Sequence, residues 1–187
     1  QGEKMVMNAK KAAAAFGVQL VTSKDVLAVQ TQIADQLGNS GMISAKVAAQ
    51  VADTGKAFGY GAQEAGNLQA NLQAIGLSQS AALELQQELG QETLSQGLNT
   101  GKIIKDINKN AKATSKFFGG NAKALKKAAI EANKMGIELS DMVKVSDTLL
   151  DIEGSLTSQF ELQALTGKQM NFDTARNLAL QGDIAGA

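Results

Sequence analysis

The sequence predicts an all-α fold, built from tandem helix–turn–helix units that are either elongated or bundled. Three observations carry that expectation. The 187 residues include no Pro, Cys, His or Trp, so no proline interrupts a helix, and Ala, Leu, Gln, Lys and Glu favour one. Apolar residues recur at spacings of three and four. The chain also repeats itself at a period of about 60 residues, the mark of an array of similar helical units.

The repeat is carried by TGKAFG at 54–59 and TSKFFG at 114–119. Thr54, Lys56, Phe58 and Gly59 recur as Thr114, Lys116, Phe118 and Gly119. The register extends outward through Gly41 and Gly101, Ile43 and Ile103, Gly76 and Gly136, and Leu89 and Leu149. A fainter echo places Phe16-Gly17-Val18 against Ile75-Gly76-Leu77. This reading divides the chain into a partial repeat at 1–40, full repeats at 41–100 and 101–160, and a C-terminal helical hairpin at 161–187.

The elements follow in order. Met7–Phe16 is Ala-rich and helical in character. Ser23–Leu37 carries Val26, Val29, Ile33 and Leu37 at helical spacing, with Ser23 as its expected N-cap. Gly38-Asn39-Ser40-Gly41 breaks it. Ile43–Ala57 lines up Ile43, Val47, Val51, Thr54 and Phe58, and the next unit repeats that face as Ile103, Ile107, Ala111, Thr114 and Phe118. Gln63–Ile75 and Asn121–Met135 are partner helices, ended by Gly76 and Gly136 in left-handed geometry.

Ser140–Leu165 has the clearest period. Met142, Val145, Leu149, Ile152 and Leu156 follow a 3-4-3-4 spacing, a short heptad seam that packs on another helix or on a second copy of the chain. Phe160, Leu165, Phe172 and Leu178 extend this candidate partner interface, and the chain is expected to self-associate. Thr166-Gly167-Lys168-Gln169 should break the helix so that Phe172 and Leu178 fold back over Phe160 and Leu165, with Arg176 facing Glu161. The last helix should span Phe172–Gln181.

Composition limits function. Lys plus Arg and Asp plus Glu both number 18, so the whole chain has no bulk attraction to nucleic acid or anionic lipid. Without cysteine there are no disulfides or thiolate metal sites. Without histidine there is no Ser-His-Asp or Cys-His nucleophile and no His-ligated zinc. No catalytic, cofactor or metal residues are assigned, and no cofactor is expected. No apolar run approaches the roughly 18 residues of a membrane span, and no signal peptide is visible. A chain that starts at Gln1 and ends on DIAGA is expected to be a segment of something longer.

Two charged constellations stand out. Lys102, Lys105, Lys109, Lys112 and Lys116 share a helix face that could track a polyanion. The blander reading is a solvated face, or one paired with the acidic stretch after it, because no aromatic stacking residue interleaves. Glu84, Glu88 and Glu92 form an i, i+4 ladder, best read as an exposed polar face.

Residues 136–187 add a resemblance. Leu149-Leu150-Asp151-Ile152-Glu153-Gly154-Ser155, Glu161-Leu162-Gln163-Ala164, Leu165-Thr166-Gly167-Lys168-Gln169-Met170-Asn171, Ala175-Arg176, Leu178-Ala179-Leu180 and Gly182-Asp183 are similar to a segment of tail tape measure proteins of tailed bacteriophages. The resemblance implies a non-enzymatic virion protein, present in several copies along the phage tail, that sets tail length during assembly and leaves the tail at infection. It implies tail tube and tail-tip or baseplate proteins as partners, with the host membrane a further candidate at infection; DNA contact is not expected. At about 1.5 Å per residue the whole chain as one helix would reach on the order of 280 Å. The rival readings are a membrane-active translocator that helps the genome cross the host envelope, and a carboxylate-only glycan hydrolase, which the lack of aromatic cleft walls disfavours.

Overall fold

A computed structural model describes residues 21–38, 43–111, 115, 118–119, 121–169, 171–181, 183–184 and 186–187. Every regular element among these residues is a helix: α1 (Ser23–Leu37), α2 (Ala45–Ala57), α3 (Gly61–Ala74), α4 (Gln79–Ser95), α5 (Thr100–Lys109), α6 (Ala122–Met135), α7 (Leu139–Leu150), α8 (Ile152–Thr166) and α9 (Asp173–Leu180). The expected helix over Met7–Phe16, the echo at Phe16-Gly17-Val18, most of the Gly38–Gly41 break, and Thr114 lie outside the described residues.

Caps set the helix boundaries. Thr22, not Ser23, starts α1 with a capping box: its hydroxyl accepts from Asp25 N–H, and Asp25 accepts from Thr22 N–H at 2.7 Å. Ser44, Ser78, Asn99 and Asn121 cap α2, α4, α5 and α6 through their side-chain oxygens. The helices ahead of Gly59, Gly76, Gly97 and Gly136 end alike. At Gly136, with φ 73°, Ile137 N–H reaches back to Ala132 O at 3.0 Å and Gly136 N–H to Asn133 O at 3.1 Å. A Cβ in that left-handed conformation would be strained, so glycine is the residue that permits the stop.

Helix α3 is the hub, packing on α1, α2, α4 and α5. It does so because Ala62, Ala65, Gly66 and Ala70 let neighbours approach, while Leu68 and Leu72 fill the space between them. A Cβ on Gly66 would lie 3.0 Å from Val29 Cα on α1. Val26, Val29 and Ile33 of α1, Ala48, Val51 and Ala52 of α2, and Ile103, Ile104 and Ile107 of α5 complete this core. Each large side chain so buried stabilises by roughly 1.5–3 kcal/mol. Three of the polar side chains inside are linked in a chain. Tyr60 Oη donates to Gln86 Oε1, Gln86 Nε2 donates to Gln69 Oε1 at 2.7 Å, and Gln69 Nε2 donates to the Gln79 carbonyl.

Three expectations change here. The stretch Ser140–Leu165 is two helices, because Asp151 leaves helical geometry (φ −76°, ψ 87°) and its carboxylate caps Gly154 N–H. Aspartate prefers that capping role to a helix interior. In the 101–160 unit, α5 stops at Lys109, and Asn110 turns its amide back onto Asp106, whereas α2 in the 41–100 unit runs unbroken to Ala57. Helix α8 runs through position 160, so the expected boundary with 161–187 falls inside a helix.

Candidate interaction surface

The C-terminal substructure is α7, α8 and α9. Helix α7 packs on α6, and both α8 and α9 pack on α7. The α7 N-terminus has no side-chain cap of its own; Asp106 on α5 supplies one, accepting from Leu139 N–H at 2.8 Å. Leu139, Met142 and Val143 then enter the core and orient α7.

Helix α8 turns a polar face inward. Ser155 is its one buried residue. Arg176 of α9, only 5% exposed, donates from Nε to Ser155 Oγ at 2.7 Å, from Nη2 to Gln159 Oε1 at 2.9 Å and from Nη1 to Asp173 Oδ1 at 2.9 Å. The expected pairing of Arg176 with Glu161 is replaced by this set. Sequence reading missed Ser155 and Gln159 as the partners of Arg176, since neither stands out from the polar residues around it.

The apolar residues of α8 face solvent instead. Phe160 is 64% exposed and Leu165 83% exposed. Phe172 and Leu178 are half-buried and do not cover them, because α9 docks on α7. The seam divides likewise: Met142 is buried, Leu149 half-buried, and Val145, Ile152 and Leu156 exposed. The Asp151 break redirects the chain after Leu150, so the five positions do not form one stripe on one helix. The partner-interface residues therefore separate into buried Met142, half-buried Leu149, Phe172 and Leu178, and an exposed set, Val145 on α7 and Ile152, Leu156, Phe160 and Leu165 on α8.

Of the lysine face, Lys102, Lys105 and Lys109 are exposed on α5, while Lys112 and Lys116 lie outside the described residues. The three line an open cleft of about 400 Å³ with Asp106, Asn133, Ile137 and Glu138. Lys109 is committed to Glu138 at 2.7 Å, and this hydrogen-bonded pairing raises the ammonium pKa. Burial pushes the Asp106 carboxyl up, against the pull of the Leu139 N–H. With two carboxylates set among three lysines, the cleft holds little net charge for a polyanion.

The acidic ladder is bridged. Lys126 on α6 reaches Glu88 at 3.1 Å and Glu92 at 2.9 Å on α4. Burial lowers the Lys126 pKa, but the hydrogen bonds to Glu92 and Glu88 outweigh it and raise it. Among the described residues no group of three or more Asp or Glu is placed to hold a metal ion. The void between α3, α4, α5 and α6 measures about 10 Å³, no more than one water. Among the described residues no helix is long and apolar enough to cross a membrane. No family model, curated protein or solved structure matches the chain.

Proposed function

We propose that this chain is a segment of a structural virion protein similar to phage tail tape measure proteins. In this reading it is not an enzyme. It acts in the tail, in several copies, contacting tail tube and tail-tip or baseplate proteins, helping to set tail length and leaving at infection. The observation that carries the reading is an overlap. The residues that bear the resemblance, between Leu149 and Asp183, take in α8, the helix with the exposed apolar face, and α9. A structural protein that works by contact needs such a surface, whereas a catalyst needs a cleft with convergent titratable groups.

The folded-back helices fix the form of the proposal. Helices α1 to α6 share a core, so this stretch would enter a ruler as a folded block and not as one long rod. The 60-residue repeat belongs to the same proposal: α3 and α6, and α4 and α7, stand at corresponding positions of the two units.

In-frame deletion of residues 101–160 from the parent gene, followed by electron microscopy of particles, tests the reading. Shorter tails are the expected result. Tails of unchanged length on infectious particles would reject a length-setting role for this block. The membrane-active reading rests on the exposed Leu156, Phe160 and Leu165 of α8. Binding of the isolated chain to phospholipid vesicles would favour it.

A further inference from the structure

We propose that α8 pairs antiparallel with α8 of a second copy of this chain. The inference stands on α8 alone and does not depend on the tail reading. Glu153, Leu156, Phe160 and Ala164 follow a 3-4-4 spacing, which places them on one helix face. All four are exposed. This face differs from the one that holds Ser155 and Gln159 against Arg176, so the intramolecular contacts leave it open.

The pattern is complementary to itself when one copy is reversed. With a two-fold axis at Phe160, the two Phe160 rings meet at the centre. Leu156 then comes level with the second copy's Ala164, and a large side chain meets a small one. Glu153 comes level with the second copy's Gly167, next to Lys168, just past the C-terminal end of α8. Both pairs occur twice by symmetry. A parallel pairing would instead set Glu153 against Glu153 and Lys168 against Lys168. Antiparallel pairing also brings opposite helix dipole ends together. Neither Glu153 nor Lys168 has a salt bridge among the described residues. Charge complementarity within one sequence therefore points to a second copy as occupant.

A helix of 15 residues is about 22 Å long, so the contact lies at the small end of stable interfaces. The dimer should accordingly form in the micromolar range. The test is sedimentation of the full chain across a concentration series, with circular dichroism on each variant. Phe160 is 64% exposed, so F160E should keep its helicity and stay monomeric. E153K and K168E should each weaken the dimer by about tenfold. A one-to-one mixture of E153K with K168E should restore it, because both cross-pairs again oppose. A monomeric wild-type chain at all concentrations would overturn the pairing. So would a dimer indifferent to F160E, or a mixture that fails to recover. A chain that stays monomeric yet binds phosphatidylcholine–phosphatidylglycerol vesicles through Phe160 would reassign the face to lipid.

Discussion

Arg176 Nε donates a 2.7 Å hydrogen bond to Ser155 Oγ, and the two residues are 5% and 3% exposed. This bond joins α9 to α8 across 21 residues. It is the polar centre of a substructure whose apolar side chains stay largely outside. Asp173, at 70% side-chain exposure, gives Arg176 only a largely solvated counter-charge. The fork geometry of the guanidinium therefore matters more than the ion pair.

Replacing Arg176 with Ala should free α8 from α9. Ser155 Oγ and Gln159 Oε1 each lose a donor, at a cost of about 2 kcal/mol. Lysine should rescue poorly, since a point ammonium cannot reproduce three bonds from a planar fork. Hydrogen exchange checks this. Amides of α8 should exchange faster in the variant while those of α3 keep wild-type protection. Uniform loss across both would mean that Arg176 supports the whole fold.

Much of the helical layout was legible in the sequence, and for identifiable reasons. Helix α1 matches its expected span because Val26, Val29 and Ile33 are strictly periodic. The Gly76 and Gly136 stops were legible because left-handed geometry singles out glycine. The C-terminal packing was not legible. Periodicity read through Asp151, since a capping aspartate and a helical aspartate look alike in sequence. The apolar pattern also implied that Phe172 would cover Phe160. That inference failed because Arg176 recruits polar partners on α8, and α9 buries Ala179 while sitting on α7. Among the described residues of the lysine face, Lys109 pairs with Glu138, at the start of the next acidic stretch.

Gly90 on α4 tests the packing near the Phe58-Gly59 turn. A Cβ there would collide with the Phe58 ring, including the ring carbon nearest the backbone, so the whole ring must move. Alanine favours a helix over glycine by about 1 kcal/mol. Overpacking costs about 1–3 kcal/mol. The clash should win, and Gly90→Ala should lower Tm by a few degrees. Adding Phe58→Ala should remove the clash, so that G90A in that background raises Tm instead. A gain in Tm from G90A alone would show that the ring moves freely.

The last prediction sets two aspartates against each other in pH. Burial alone would raise the Asp25 pKa, but its bonds to Lys56 and Thr22 outweigh that and hold it below the ordinary value of 3.8. A depressed folded pKa adds stability above the unfolded value, and this stability is lost as pH falls through the folded one. Asp106 is the reverse. Burial raises its pKa above 3.8, so its contribution is full below that value and is lost as pH rises through the folded pKa. Asp106→Asn keeps an oxygen acceptor for Leu139 N–H and removes the buried charge. Relative to wild type, its Tm should therefore rise as pH climbs from below 3.8 through the raised folded pKa of Asp106. Asp25→Asn should lose most relative to wild type at neutral pH and converge with it in acid, where the wild-type carboxyl is also protonated. Asp106→Ala separates charge from capping. It leaves the first N–H of α7 without its acceptor and should cost about 1 kcal/mol. Thermal denaturation of the variants from acid to neutral pH reads all three. If D106N falls below wild type as pH rises, the Asp106 carboxylate is stabilising in its charged form, and the direction assigned to its burial is wrong.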